Sequence, residues 1–160
     1  MILIGLGSNL AGPWGSSRDT VLRALGHLDR AGLSLVTASR LLNSRPYGNA
    51  NQPPFVNAVA RIATHLPPEA LLHRLHAIER AAGRRRGLRW GPRTLDLDLL
   101  DYHALVRPGR PTLPHPGISS RAFVLVPIAE IAPGWRHPVL RASALQLLRP
   151  LGGRGGGSEI

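Results

Sequence analysis

Residues 94–99 read Thr94-Leu95-Asp96-Leu97-Asp98-Leu99, so apolar and acidic side chains alternate. Successive side chains of a β-strand point to opposite faces of the sheet, and this pattern predicts a strand that continues to Tyr102 with its leucines on one face. Asp96 and Asp98 then share the other face, roughly 7 Å apart at a rise of about 3.3 Å per residue. The stretch therefore predicts both a strand of the sheet and a pair of neighbouring carboxylates.

This pair of carboxylates predicts a metal site. Two carboxylates held side by side repel each other, and a divalent cation between or beside them removes the repulsion. Oxygen ligands favour magnesium or manganese, and two ions bridging a phosphate chain would also fit. The alternative is the solvated face of an amphipathic strand, but aspartate is disfavoured in strands. Three of the nine acidic residues, Asp96, Asp98 and Asp101, lie within six positions; Asp101 has the opposite parity and is expected to be structural.

The segment from Gly83 to Arg93, directly before this strand, contains five arginines and three glycines. Guanidinium groups match the geometry of phosphate oxygens. A solvated basic loop or an RNA-binding patch is the alternative interpretation of such a run. Because phosphoryl transfer needs cations on the phosphates together with magnesium, the position of the arginines beside the two carboxylates favours phosphate binding.

The rest of the chain predicts an α+β fold. Strands are expected at residues 1–8, 33–45, 55–64 and 94–102. One helix is expected to begin at Ser16 or Ser17 and to end at Gly32, and a second to run from Pro67-Pro68-Glu69 to Gly83. The first should bury a stripe formed by Val21, Leu22, Leu25 and Leu28. The order strand, helix, strand, strand, helix, strand is that of ferredoxin-like domains, which predicts an antiparallel sheet with helices packed on it.

The second half of the chain gives weaker signals. Residues 107–117 are expected to form a proline-rich loop, residues 122–131 a helix or a strand, and residues 143–148 a short helix. We predict one domain over residues 1–151, followed by a glycine-rich tail at 152–160 that is expected to be disordered.

Composition excludes several kinds of chemistry. The chain has 160 residues, a formal net charge of +11 and no cysteine, so disulfides, thiolate metal sites and thiol nucleophiles are excluded. It also has no lysine, which excludes a Schiff base and suggests that part of the charge reflects a general arginine bias. No apolar run is long enough to cross a bilayer, and no secretion signal is recognised, so we expect a cytoplasmic protein.

The only two phenylalanines are Phe55 and Phe123. Core packing is the usual fate of phenylalanine, and sequence patterns alone favour it over stacking on a ligand. His115, which lies between two prolines, would by the same reasoning be an ordinary loop histidine.

Several motifs of the chain belong together. The most specific is residues 89–98, Arg-Trp-Gly-Pro-Arg-Thr-Leu-Asp-Leu-Asp. The others are residues 7–10 (Gly-Ser-Asn-Leu), 44–48 (Ser-Arg-Pro-Tyr-Gly), Gln52, 55–58 (Phe-Val-Asn-Ala), 113–116 (Leu-Pro-His-Pro) and 121–123 (Arg-Ala-Phe). Over residues 5 to about 133, the chain with these motifs resembles the 6-hydroxymethyl-7,8-dihydropterin pyrophosphokinases of folate biosynthesis.

The resemblance implies that the protein is a transferase that moves diphosphate from ATP to a reduced pterin and releases AMP. It implies that Asp96 and Asp98 bind two Mg²⁺ ions and that Arg84 and Arg93 act on the phosphates during transfer. It also implies two sets of binding residues. For ATP these are Glu79, Arg86, Arg89, Trp90, Arg93, His115 and Arg121. For the pterin they are Ser44, Pro46, Tyr47, Phe55, Asn57 and Phe123, with the two phenylalanines stacking on the ring.

The chain departs from some relatives at two positions of the nucleotide site. His76 stands where some members have glutamine, and Pro116 replaces an aromatic residue. No partner beyond ATP and the pterin is expected: no specific nucleic acid, no membrane, and a monomer.

The rival interpretation is an RNA-binding module of RRM type, which has the same order of elements and would suit the charge. Such modules display stacking aromatics on their first and third strands. Residues 2–6 contain no aromatic residue, and residues 56–59 do not match the expected pattern. RNA binding would also not require paired aspartates on the fourth strand.

Overall fold

The computed structural model describes residues 1–45, 51–85, 93–152 and 158–159. Six strands and four helices lie in these ranges. The strands are β1 (Ile2–Ser8), β2 (Leu33–Ala38), β3 (Leu42–Ser44), β4 (Phe55–Thr64), β5 (Asp96–Tyr102) and β6 (Ser158–Glu159). The helices are α1 (Ser17–His27), α2 (Pro68–Ala81), α3 (Ala122–Ile131) and α4 (Ala144–Leu148).

The strands form one antiparallel sheet in the order β5-β1-β4-β3-β6, and β2 also pairs with β4. The α+β class predicted from the sequence is therefore confirmed. β1 lies between β4 and β5: Gly7 lies opposite Asn57 of β4 and Asp96 of β5, and Gly5 lies opposite Asp98. This register brings β5 and β4, which are distant in sequence, to either side of the same two glycines.

Helices cover both faces of the sheet. On one face α1 and α2 bury a large apolar cluster that includes Leu97 and Leu99 of β5. On the other face α3 and α4 pack on a smaller cluster around Leu3, Val59 and Leu100. Because side chains alternate along β5, Asp96 and Asp98 point to the face that carries α3, opposite to Leu97 and Leu99.

Three details of the prediction need correction. Helix α1 ends at His27 rather than near Gly32, and Leu22 is 41% exposed while Ala24 takes its place in the core. The predicted strand 33–45 is two strands, because the buried Ser39 hydroxyl accepts the N–H of Val59 and leaves the ladder irregular between Ala38 and Leu42.

The ambiguous segment 122–131 is a helix, α3, in spite of Pro127 within it. Residues 143–148 form the short helix α4, with the hydroxyl of Ser143 accepting the N–H of Gln146 at its start. Within the predicted tail, Ser158–Glu159 pairs with Leu42 and Asn43 of β3. Residues 153–157 and 160 lie outside the described residues, and disorder there stays a prediction. Among the helices described here, none combines the length and apolarity of a membrane span.

Asp101 is held by the second apolar layer. Its carboxylate, which is 2% exposed, accepts hydrogen bonds from Trp135 Nε1 at 2.7 Å and from the backbone N–H of Ala104 at 2.9 Å. A buried carboxylate with two such donors ties β5 to the segment after α3, which is the structural role predicted for it. A register shift in the pairing of β1 with β5, between Leu3 and Ile4, places Asp101 on the α3 face and not on the opposite face that simple alternation predicted.

The neighbouring His137 gives a prediction about pH and stability. Its Nδ1 accepts the backbone N–H groups of Val139 and Leu140 at 3.1 and 3.0 Å, which requires a neutral ring, and burial lowers its pKa below 6.5. Because folding favours the neutral form of His137, this residue stabilises the fold fully above pH 6.5. The stabilisation is lost as the pH falls through the lowered pKa. The wild type should therefore lose more unfolding free energy than His137→Asn between pH 7.5 and 5.5.

Urea denaturation of both proteins at the two pH values measures this difference. Both proteins contain other histidines, so the test compares the pH-dependent loss of unfolding free energy in the wild type with the loss in His137→Asn. An equal loss in the two proteins would show that His137 is not responsible for the pH dependence.

Candidate active site

Two cavities meet at the paired aspartates. The first has a volume of about 270 Å³ and the second about 330 Å³. Arg93, Asp96, Asp98 and His115 line both. Groups bound in the two cavities would therefore face each other across the two carboxylates, an arrangement suited to transfer from one ligand to another.

The floor of the first cavity is made by glycines of β1. Gly5 and Gly7 lie between the aspartates of β5 on one side and β4 on the other. A Cβ atom at Gly7 would lie 3.2 Å from Asn57 Oδ1 and 3.5 Å from the ring of Phe55, so a side chain there would fill the cavity. Sequence reasoning did not assign these residues to the site. Glycines at alternate positions of an otherwise apolar strand were the available signal, since such glycines often mark the close approach of a ligand.

The walls of the first cavity combine polar and aromatic groups. Asn57 is buried and donates a hydrogen bond from Nδ2 to the hydroxyl of Ser44, which is also buried. Phe55 and Phe123 are half-buried and line the cavity, and Phe123 also packs against the apolar cluster under α3. The guanidinium of Arg121 lies 6.0 Å from the centre of the Phe123 ring. All four residues predicted for the pterin and described by the structure therefore line one cavity.

The second cavity contains an ion network centred on Asp96. Asp96 Oδ1 accepts from Arg84 Nη1 at 3.0 Å and from Arg93 Nη1 at 3.2 Å. Arg84 Nη1 also donates to Glu79 Oε2, and that oxygen accepts the backbone N–H of Leu97 at 2.8 Å. Glu79 is thus placed by α2 directly beside β5.

Burial dominates the titration of two carboxyl groups here. It raises the pKa of Glu79 to about 7, opposed by the Leu97 N–H and Arg84. Burial, followed by repulsion from Asp96, raises the pKa of Asp98 to about 7, although Arg121 and Arg93 lower it. Negative charge is therefore costly at this site without further cations, as expected where a cation binds.

His115 is the imidazole nearest to Asp98. Its Nδ1 accepts the N–H of Gly117 at 3.0 Å, and its Nε2 lies 3.8 Å from Asp98 Oδ1. Burial and then the charge of Arg121 lower the pKa of His115, which favours the neutral ring in the free protein. Since Nδ1 accepts a hydrogen bond, the neutral ring carries its proton on Nε2, and the proline-rich segment places this N–H at the junction of the cavities.

Asn9 fixes the far end of the arginine segment. Its Oδ1 accepts the N–H of Arg93 at 2.8 Å, and its Nδ2 donates to Gln52 Oε1 at 3.0 Å and to the carbonyl of Pro53 at 3.1 Å. Asn9 is 2% exposed. The motif that contains Asn9 was recognised in the sequence. Only the fold shows that Asn9 connects Arg93 to the segment of Gln52 and Pro53.

Five predicted site residues lie outside the described part of the chain: Pro46, Tyr47, Arg86, Arg89 and Trp90. The other eleven line one or both cavities. His76 and Pro116, the two departures noted in the sequence, line the second cavity with Arg110 and Thr112, which the sequence did not single out. Burial and the nearby Arg84 and Arg110 lower the pKa of His76.

The donor set fits magnesium bound together with a phosphate ligand. Within the described ranges, no three His, Cys, Asp or Glu side chains converge closely enough to hold a metal ion by themselves. Asp96 and Asp98 instead offer two carboxylates on one face, beside a cavity with several arginines. Mg²⁺ commonly binds through one or two carboxylates, with substrate phosphates and water completing its shell.

Comparison with known sequences agrees with this chemistry. Residues 3–133 match the family described as 7,8-dihydro-6-hydroxymethylpterin-pyrophosphokinase. The chain is 47% identical over 139 residues to a 2-amino-4-hydroxy-6-hydroxymethyldihydropteridine pyrophosphokinase of Pseudomonas aeruginosa, covering 86% of this chain and 83% of the relative. It is 45% identical over 130 residues to the Haemophilus influenzae enzyme of the same name, covering 81% and 79%. It is also 37% identical over 131 residues to a mitochondrial folate synthesis bifunctional protein of Arabidopsis thaliana, covering 81% of this chain and 23% of that protein.

Proposed function

The chain belongs to the 7,8-dihydro-6-hydroxymethylpterin-pyrophosphokinase family and is a pyrophosphokinase of folate biosynthesis, and we propose that it aligns its two substrates in the two cavities that meet at Asp96 and Asp98. The observation that carries the proposal is this junction. A donor in one cavity and an acceptor in the other would place the transferred group at the two carboxylates.

The pterin fits the first cavity. Phe55 and Phe123 offer aromatic faces to a flat ring, and Ser44 and Asn57 offer polar groups to its edge. The glycine floor leaves room for the ring against β1. This combination of aromatic surface with a few convergent polar groups is the usual character of a small-molecule pocket.

ATP fits the second cavity. Arg93 lines both cavities and Arg84 contacts Asp96 at their junction, where the transferred phosphates would be. Arg110 and Thr112 lie farther along the proline-rich segment. Arg121 faces the same carboxylates from the α3 side. Three arginines on one phosphate chain would neutralise its charge and hold it in line with the acceptor.

The proposed metal ligands are Asp96 and Asp98, which would hold one or two Mg²⁺ ions together with the phosphates. Bound there, the metal supplies Lewis-acid charge neutralisation on the phosphate oxygens. The pterin hydroxymethyl oxygen forms a bond to the β-phosphorus, and the bond from that phosphorus to the oxygen bridging to the α-phosphorus breaks. AMP leaves with the bridging oxygen, and the hydroxymethyl proton is released to water.

Finer features follow from the same site. We propose a ferredoxin-like topology, because β2 and β3 together act as one interrupted strand on the outer side of β4. We propose a monomer, because one chain supplies the described walls of both cavities. A cytoplasmic location, as expected from the sequence, is compatible with ATP as a substrate. The RNA-binding alternative finds no support, since the family and the relatives are pyrophosphokinases or folate synthesis proteins.

The reaction is tested by its products. Incubation with ATP, Mg²⁺ and 6-hydroxymethyl-7,8-dihydropterin should give AMP and pterin diphosphate in equal amounts, and label at the β-phosphate of ATP should appear in the pterin product. A reaction without pterin is the control and should give no AMP above background. Formation of ADP and a pterin monophosphate would contradict diphosphate transfer.

A further inference from the structure

Arg84 makes an unusual contact for a residue expected to act on phosphates. Its guanidinium lies on the carboxylates themselves, with Nη1 donating to Asp96 Oδ1 at 3.0 Å and to Glu79 Oε2. The Arg84 side chain is 28% exposed, that of Asp96 26% and that of Glu79 6%. In the nucleotide-free protein this arginine therefore supplies positive charge at the position where a metal cation is expected.

The contact leaves little room for a cation on the same oxygen. A carboxylate oxygen accepts along about two lone-pair directions. At Asp96 Oδ1 both are taken, one by Arg84 and the other by Arg93 at 3.2 Å. A magnesium ion would need to approach that oxygen to about 2.0–2.1 Å, directly against the charge of a guanidinium group.

Other groups hold Arg84 in this position. The carboxylate of Glu79, the second partner of Arg84, accepts a hydrogen bond from the backbone N–H of Leu97. The backbone N–H of Arg84 donates to the carbonyl of Glu79 at 3.0 Å. The preceding Gly83 has a φ of +89°, and a Cβ atom there would lie 2.6 Å from the ring of Pro13. The end of α2 thus directs Arg84 back toward β5.

We propose that Arg84 is an internal competitor of the divalent cation: it occupies Asp96 in the free protein and gives way when the phosphates of ATP offer it a better partner. The inference rests on the proposed metal site. A phosphate chain carries more negative charge than Asp96 and Glu79 can present to one guanidinium, and it matches the guanidinium fork. The metal then enters with the nucleotide, and the same arginine moves from the carboxylates to the phosphates.

The test measures Mn²⁺ alone, without nucleotide, by the electron paramagnetic resonance signal of the free ion. Arg84→Ala should bind Mn²⁺ at least about tenfold more tightly than the wild type, because a full positive charge a few ångströms from the site is removed. Arg85→Ala is the matched control. Arg85 is exposed and adjacent in sequence, so its removal should change the affinity less than about twofold by long-range charge alone.

A double variant separates the competition by Arg84 from the metal site at Asp96. Adding Asp96→Asn to Arg84→Ala should abolish the gained affinity. If Arg84→Ala binds no more tightly than Arg85→Ala while the loss of Asp96 still weakens binding, the competition is refuted and the metal site stands. If the double variant binds as tightly as Arg84→Ala, the ion is not on Asp96, and both the competition and the proposed site are refuted. Failure to detect binding in Arg84→Ala also overturns the competition.

Discussion

Replacing Asp98 by asparagine should lower kcat at least about a hundredfold while the protein stays folded, because the variant loses a charged ligand where charge develops during transfer. Asp98 lies at the junction of both cavities, on the face of β5 opposite Leu97 and Leu99 of the larger apolar cluster. Asp96→Asn should give a loss of similar size. The measurement is steady-state turnover at saturating ATP, Mg²⁺ and pterin, with the melting temperature recorded in parallel.

The pKa of Asp98 indicates how stability should respond. Burial and Asp96 raise that pKa to about 7, from 3.8, so the folded protein favours the neutral form of the group. Above pH 3.8 the fold therefore loses stability through this carboxylate, increasingly until the pH passes about 7. A neutral asparagine removes that cost, so the melting temperature of Asp98→Asn at neutral pH should be unchanged or higher.

Asp101→Asn is the matched control, because it is the same change on the same strand. Asp101 faces Trp135 and the second apolar layer rather than the cavities. Its substitution should lower stability, by about 1–3 kcal/mol for a buried hydrogen-bonded group, and leave the turnover of the folded fraction nearly unchanged. Normal kcat in Asp98→Asn, or the same pattern in both variants, would contradict the assignment of Asp98.

The carboxylate pair was predictable because strand geometry is local. Alternation fixes which side chains share a face, so Asp96 and Asp98 could be paired without knowledge of the fold. For Asp101 the same argument was wrong, because a register shift between Leu3 and Ile4 of β1 places Asp101 opposite Leu3, on the α3 face beside Trp135. The strand limits of β4 were predictable for the same reason, since its apolar residues alternate and turn residues precede it. Local pattern likewise gave the start of α1, where Ser16 caps the helix.

What the sequence pattern could not give depends on contacts between distant segments. The break between β2 and β3 follows from the hydroxyl of Ser39 bonding to Val59, twenty residues away. The segment 122–131 is apolar throughout, so its periodicity did not distinguish a helix from a strand. In the fold this segment packs on the sheet as helix α3, and the same packing brings Phe123 to the first cavity.

The fold also changes the interpretation of the phenylalanines. Sequence patterns favoured core packing for both residues, whereas the resemblance implied stacking on the pterin. In the structure each is half-buried and lines the cavity above Gly7 and Asn57, although Phe123 also packs against the second apolar cluster. Neither is a fully buried core residue, so their role in binding stays a prediction that mutation can decide.

Phe55→Ala and Phe123→Ala should weaken pterin binding by roughly 5–150-fold, the range that corresponds to about 1–3 kcal/mol for an aromatic side chain stacked on a flat heterocycle. ATP affinity should change less than about threefold, because neither residue lines the second cavity. Calorimetric titration of each substrate measures both affinities.

Phe55→Leu and Phe123→Leu are the matched variants, since leucine keeps apolar bulk and removes the aromatic face; they should recover stability more fully than pterin affinity. Phe55 is the sharper test, because Phe123 also supports α3 and its truncation should lower the melting temperature. Equal losses of pterin and ATP affinity in Phe55→Ala, together with a lower melting temperature, would mean that Phe55 is a packing residue. In that case Phe123 and the polar walls, Ser44 and Asn57, would have to hold the ring, because the glycines of β1 leave room for the pterin but offer it no side-chain contact.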